Sequence, residues 1–349
     1  VGRSRQSMTA YILQKKAIAF LRKRCGKKQK YNEKNQERNT MVKVDLITGF
    51  LGSGKTTFIK NYARYLMDQG LNIGILENDF GAINVDMMLL RELEGENCEL
   101  EMVAGGCDRD CYRRRFKTKL IAMGMCGYDR VLIEPSGIFD VDDFFDALHE
   151  EPLDRWYQIG NVISVVDAGL DEQLSKEADY VLASEAASAG CVLLSKVQSV
   201  SDEVIQQTVA HLNRVLSEIH CPRVLNDEVI AKYWDDFTEK DYKKIMESGY
   251  RAEDYEKRYA DQSELFQTLF FMDEKVDAVK AQTGINNIFK DRCCGEVLRI
   301  KGFLKDGEQW LELNATHHDI TLKPIEAGQD VLIVIGEKLN EEKIRDYLK

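Results

Sequence analysis

One short run constrains this chain more than any other: Gly49-Phe50-Leu51-Gly52-Ser53-Gly54-Lys55-Thr56-Thr57. It satisfies G-x-x-x-x-G-K-[ST] in full. It lies between an apolar run, Met41 to Ile47, and a helix-like run, Thr56 to Met67, which is the context the pattern requires. The spacing follows from the chemistry. Glycines let successive backbone N–H groups point into one concavity, and the helix N-terminus that follows favours phosphate there. Lys55 then neutralises the β- and γ-phosphates, while the Thr56 hydroxyl is placed for Mg²⁺. Gly49, Gly52, Ser53, Gly54 and Thr57 complete the expected cradle. The chain is therefore expected to bind a nucleoside triphosphate with Mg²⁺.

From Met41 onward, short apolar runs alternate with helical patterns, which predicts an α/β fold with a mostly parallel, doubly wound sheet. Strands are expected at Val42–Thr48, Asn72–Glu77, Arg130–Glu134, Val162–Asp167 and Cys191–Ser195. Val131-Leu132-Ile133 and Val162–Val166 are apolar without a break, as strands buried on both faces should be. Ligands of such sheets bind at the strands' carboxyl ends. There the sequence places Glu77-Asn78-Asp79-Phe80-Gly81, Glu134-Pro135-Ser136-Gly137, Asp167 and Ser195-Lys196-Val197-Gln198.

Composition sets the remaining bounds. The 349 residues allow two or three domains, and no run of 18 apolar residues suggests a membrane span. Nine cysteines at irregular spacing read as reduced thiols rather than a disulfide framework. With no leader recognisable ahead of the phosphate loop, a cytoplasmic protein is expected. The net charge of −11 is uneven, because residues 1–40 hold 12 Lys and Arg against 2 Glu. The remainder is strongly acidic and is not expected to bind nucleic acid. Four segments follow: a basic extension over 1–40, either disordered or non-native; a nucleotide-binding domain over 41–225; a polar, helical linker over 226–262; and a small α+β domain over 263–349. In the last, strands are expected at Phe266–Met272, Glu296–Leu304, Gln309–Leu322 and Asp330–Gly336, with helices over Asp273–Lys290 and from Asn340.

The order of ITGFLGSGKTT (47–57), ENDFGAINVD (77–86) followed by Leu89-Leu90, LIEPSG (132–137), GEVLRIKGFL (295–304) and VLIVIGEKLNEEKI (331–344) resembles the CobW-type P-loop GTPases, relatives of the accessory GTPases of urease and hydrogenase. The resemblance runs from Met41 to the end. It implies a slow GTPase acting as a metallochaperone or metal-cofactor assembly factor, with a client metalloprotein or cofactor enzyme as partner and dimer formation left open. It also implies a nucleotide-sensing switch at Asn78 and Asp79, and Glu134 with Gly137 in place of the usual Walker B aspartate. Lys55, Asp79 and Glu134 would then serve catalysis, with Thr56, Asp79 and Glu134 at or near Mg²⁺. A regulatory protein that acts on a metalloenzyme without carrying metal is the alternative.

Two departures from the family pattern stand out. The base-reading Asn-Lys-x-Asp is replaced by Ser195-Lys196-Val197-Gln198. Lys196 keeps a stem for the purine, but Gln198 offers one acceptor and two donors where an aspartate offers two charged acceptors. GTP is favoured by resemblance, and ATP stays open. The family's Cys-x-Cys-Cys is replaced by Gly105-Gly106-Cys107-Asp108-Arg109-Asp110-Cys111. Cys107 and Cys111, with Cys98 upstream as a third thiolate, are the expected ligands for Zn²⁺ or another thiophilic ion. Cys126 and Cys191 read as core, Cys293-Cys294 as a surface or packing pair, and His317-His318 as a weak metal candidate.

The Gln198 departure gives a direct test. Gln198→Asp restores a charged double acceptor, so it should raise the preference for GTP over ATP, by roughly 1–3 kcal/mol if it acts like other bidentate base contacts. Competition binding of the two nucleotides measures this, and a wild type that already prefers GTP a thousandfold would sink the argument.

Overall fold

The computed structural model describes residues 41–79, 85–104, 109–135, 141–171, 174–257, 266–272, 278–326 and 328–348. In chain order the first unit contains β1 (Val42–Thr48), α1 (Lys55–Asp68), β2 (Ile73–Asp79), α2 (Val85–Leu90), β3 (Cys98–Ala104), α3 (Arg109–Gly124) and β4 (Arg130–Glu134). It continues with α4 (Val141–His149), α5 (Leu153–Trp156), β5 (Tyr157–Asp167), α6 (Lys176–Ser188), β6 (Cys191–Ser195), α7 (Asp202–Glu218), β7 (Val229–Ala231) and α8 (Glu239–Met246). The seven strands form one sheet in the order β3-β2-β4-β1-β5-β6-β7, every pairing parallel.

Alternation along the central strands distributes the apolar side chains between two cores. Val44, Leu46, Val131, Ile133, Val162 and Val166 pack with α3, α4, α6 and α7 on one face. Ile47, Leu132, Ile163 and Val165 pack with α1 and with Ile245 of α8 on the other. Successive side chains of a strand point to opposite faces, so an unbroken apolar run supplies both cores at once. The doubly wound parallel sheet is as expected.

The second unit contains β8 (Gln267–Met272), α9 (Ala278–Lys290), β9 (Glu296–Asp306), β10 (Gln309–Ala315), β11 (Ile320–Ile325), β12 (Val331–Glu337) and α10 (Glu341–Leu348). Its strands form an antiparallel sheet in the order β11-β10-β9-β12-β8. Apolar residues of α9 and α10, among them Ile285 and Ile344, cover one face. Among the described residues no helix is long and apolar enough to cross a membrane.

Three expectations need revision. Residues 226–257 are no linker: β7 extends the first sheet, Ile245 is core, and Val162 N donates to Gly249 O at 2.9 Å. Their polarity reflects an edge position, where one side of each element is solvated. β3 escaped notice for a similar reason, because Glu99 and Glu101 interrupt its apolar pattern at the other edge. Gln309–Leu322 is two strands, and His317-His318 lies in the bend between them.

A buried polar cluster ties β1, β4 and β5 together. Asp45 has no solvent exposure. It accepts hydrogen bonds from Arg130 Nη1 at 2.7 and 2.5 Å, Tyr62 Oη at 3.0 Å, and Asn161 N and Nδ2 at 2.9 Å each. Burial, the largest influence, raises the Asp45 carboxyl above the usual aspartate range, and Arg130 opposes that rise. Removing one partner of such a pair leaves the other buried without compensation, which typically costs about 3–5 kcal/mol. Arg130→Met should lower unfolding stability by that order. Asp45→Asn with Arg130→Met should recover part of the loss, as measured by denaturant titration of both variants.

Candidate functional site

β1 leads from the centre of the sheet directly into the phosphate loop. Gly49 has φ 149°, and a Cβ there would fall 2.2 Å from the Val165 carbonyl oxygen of β5, so only glycine lets the loop leave the strand at this point. The loop closes through Ser53 N donating to Phe50 O at 3.2 Å. Gly54, at φ 95°, caps α1 in the left-handed region. Lys55 is 5% exposed, and its Nζ donates to Gly49 O at 2.7 Å, folding the ammonium back across the loop. Ser53 Oγ is buried with no partner among the described residues, and Thr57 is exposed at the start of α1.

Glu134 ends β4, next to β1 in the sheet, and is buried. Thr56 Oγ1 donates to Glu134 Oε1 at 2.8 Å. The hydroxyl proton is thereby directed at the carboxylate, and the oxygen's lone pairs remain available to a hard cation beside the loop. This donor set fits Mg²⁺, which takes few protein oxygens and keeps waters and phosphate oxygens as its other ligands. Asn78 and Asp79 end β2, two strands from β1. Their side chains, with Gly137 and Cys107, lie outside the described residues.

The carboxyl end of β6 also reaches the loop, since the position of a Gly54 Cβ lies 3.7 Å from Ser195 Cβ. Ser195 is buried and its Oγ donates to Val166 O at 3.3 Å. Lys196 has φ 54°, and its Nζ meets Asp167 Oδ2 at 2.5 Å, so its ammonium is anchored on β5. Gln198 follows in a 3₁₀ turn and is exposed. Sheet register brings the residue after Ala231 to the same end, because Leu194 pairs with Ala231. Trp234 sits there against the loop, 3.1 Å from the position of a Gly54 Cβ.

The expected thiol site divides. Cys111 is half-buried in the first turn of α3. Cys98 is fully buried at the opposite, amino end of β3. Seven extended residues separate the strand's ends by about 20 Å, at roughly 3.3 Å per residue. The structure therefore does not bring Cys98 to Cys111, and Cys98 serves the apolar core shared with Ile73 and Leu93. His317 and His318 also part: His317 lies against the Phe289 ring, while His318 Nε2 is 3.1 Å from Asp171 Oδ1. Among the described residues, no group of three or more His, Cys, Asp or Glu is gathered as a metal cage.

Residues 43–221 match the family described as CobW/HypB/UreG, nucleotide-binding domain, and residues 271–349 match the cobalamin synthesis protein cobW C-terminal domain. The chain belongs to the CobW/HypB/UreG family. Among curated proteins, the zinc chaperone YjiA of Escherichia coli is 28% identical over 49% of this chain and 55% of its own length. The zinc-regulated GTPase metalloprotein activator 1 of Schizosaccharomyces pombe is 25% identical over 49% of this chain and 44% of its own. The chain thus spans about half the length of the curated relatives it matches. The phosphate loop, Glu134 and the β6 end described above all fall within the CobW/HypB/UreG match.

Sequence reading missed Glu185 of α6. Thr48 Oγ1 donates to its Oε1 at 2.9 Å, directly beneath the phosphate loop. Burial pushes its carboxyl up to about 7; Lys55, Thr48 and the Gly49 backbone oppose the rise. An acidic residue within the apolar-small helix of this CobW-type domain gave no local signal of that contact. A raised carboxyl favours protonation in the fold, so its burial costs nothing when both states are protonated. The cost grows as pH climbs from the ordinary glutamate value towards 7, then levels off. Glu185→Gln should therefore match wild-type stability near pH 4 and exceed it at pH 8, by roughly 3 kcal/mol at about 1.4 kcal/mol per unit. Thermal melts across that range measure the difference.

Proposed function

We propose that this chain is a nucleotide-hydrolysing metallochaperone or metal-cofactor assembly factor, with GTP as the favoured nucleotide. The Thr56–Glu134 hydrogen bond at the mouth of a complete phosphate loop carries this reading, because it prepares one oxygen for a hard cation beside the bound phosphates. The zinc chaperones among the chain's relatives support a transition-metal cargo. Zn²⁺ or another thiophilic ion is the substrate in this scheme, delivered to a client metalloprotein or cofactor enzyme.

In the working cycle the loop amides and Lys55 bind the β- and γ-phosphates, while Thr56 and Glu134 hold Mg²⁺, which supplies charge neutralisation at the transferring phosphoryl group. Asp79 and Asn78, at the end of β2, sense the terminal phosphate, with Gly137 three residues beyond Glu134 in the sequence. Lys196 and Gln198 face the base, with ATP as the alternative to GTP. Ordering of the switch by triphosphate, and its release on hydrolysis, would reshape the segment that carries Cys107 and leads to Cys111. No side chain of the family pattern in this sequence acts as a strong general base, so turnover is slow and set by a partner.

Two variants test the halves of this reading. Lys55→Ala should abolish binding of a non-hydrolysable GTP analogue in calorimetry while leaving the melting temperature near wild type; unchanged affinity overturns the nucleotide assignment. Cys107→Ser with Cys111→Ser should remove one equivalent of bound zinc and leave analogue affinity intact. Zinc binding to the wild type should weaken below neutral pH, because thiolate ligation requires deprotonation. Full zinc retention in the double variant places the cargo elsewhere.

A further inference from the structure

The C-terminal sheet has two faces of opposite character. Ile300, Leu304, Leu313, Ala315, Leu332 and Val334 point to the helix-covered core. Register assigns the other face. Arg299, Lys301 and Phe303 of β9 alternate with those core residues, and they pair with Ile335, Ile333 and Val331 of β12. Lys301 and Phe303 also pair with Asn314 and Glu312 of β10. Read as sequence, such alternation of cations with apolar residues describes a strand with a solvated face. In the folded chain that face is turned onto the nucleotide site instead.

The contacts are specific. Leu51 of the phosphate loop and Met88 of α2 pack on the cluster of Phe303, Val331, Ile333 and Ile335. A Cβ at Gly52 would lie 3.0 Å from Thr316 Cγ2 and 3.8 Å from Arg299 Cδ. A partly open cavity of about 60 Å³ lies between the domains. Gly52, Gly54, Lys55, Thr56 and Glu134 line one side, with Arg299, Lys301, Glu312 and Asn314 opposite. Lys301 is 5% exposed, and Arg299 Nε donates to Asn314 Oδ1 at 3.0 Å, which orients the guanidinium fork. Thr316 Oγ1 and Ser53 Oγ are both buried without a partner among the described residues, one on each side of the contact.

We propose that Arg299 and Lys301 are phosphate ligands supplied in cis, closing on the terminal phosphate of a triphosphate held by the loop. This rests on the nucleotide-binding reading above and adds the group that completes the site. Three cations, with Lys55, converge on one small space beside Thr56 and Glu134. The same lining holds the carboxylates of Glu134 and Glu312, so its three cations exceed its two anions by one, and a triphosphate on the loop would bring the C-terminal cations a stronger counter-charge. A guanidinium presents paired donors matched to phosphate oxygens, and a buried ammonium adds a point charge. Because Met88 of α2 shares the same apolar cluster, closure of the C-terminal sheet and the position of the helix after the switch are coupled mechanically. The nucleotide state is thereby conveyed to the C-terminal domain through its own side chains, not solely through the switch.

The test compares GTP-analogue and GDP affinity, and single-turnover GTP hydrolysis, in wild type, Arg299→Gln and Lys301→Met, substitutions that keep most of each side chain's packing. Both variants should lose at least about tenfold in analogue affinity relative to GDP and slow hydrolysis by a similar factor. Arg299→Lys should recover part of the loss. Melting temperatures near wild type confirm intact folding, and Lys55→Ala supplies the nucleotide-free baseline. A wild type that binds no nucleotide overturns the nucleotide reading itself. A wild type that binds and hydrolyses GTP, with variants that keep its GTP-to-GDP ratio or lose both nucleotides equally, shows that the contacts only hold the domains together and overturns this inference.

Discussion

The buried Asp45–Arg130 pair fixes the three strands on which the site is built. Asp45 sits on β1, whose end becomes the phosphate loop; Arg130 opens β4, whose end is Glu134; Asn161 belongs to β5, whose end is Asp167. A parallel sheet can slip by a residue only by exchanging its two faces. Five hydrogen bonds on one carboxylate oppose such a slip, because any displacement would strand a charge in an apolar interior. Asn161 extends the constraint to the edge of the domain by accepting from Gly249 N at 2.9 Å. The carboxyl ends of the strands inherit their spacing from this cluster, at the sheet's interior.

At the carboxyl ends the same physics is used differently. Charges and hydroxyls are gathered there as well. Burial beneath the loop raises the Glu185 carboxyl to about 7, Ser53 and Thr316 keep hydroxyls unpartnered among the described residues, and Lys55 is folded onto its own loop carbonyl. Such an arrangement is consistent with the highly charged ligand proposed for the loop. The contrast between the two polar clusters separates scaffold from function within one sheet.

The second domain is part of that arrangement and not an appendage. Its helices cover one face of the antiparallel sheet, leaving a face whose apolar rim grips Leu51 and Met88 and whose cations overlie the phosphate loop. A sheet with only one face buried against its own helices needs a partner for the other, and here the nucleotide-binding domain provides it. Cys111, one of the residues proposed to handle cargo, opens the helix that follows β3.

By itself the sequence determined the phosphate loop, with its Lys55 and Thr56, and the strands β1, β4 and β6. Those features are local: a turn needs its glycines, and a strand buried on both faces needs an unbroken apolar run. The edge elements were not legible, because β3 carries Glu99 and Glu101 and β7 spans only Val229–Ala231, too short for a period to register. Nor could spacing tell that Cys98 and Cys111 fall at opposite ends of one strand-to-helix connection, since nearness along the chain says nothing about direction. The burial of Lys301, the approach of Arg299 to Gly52 and the carboxyl of Glu185 under the loop depended on register between segments more than a hundred residues apart. Only the packed tertiary structure sets that register, since it is decided by which faces are left to bury once each domain has formed.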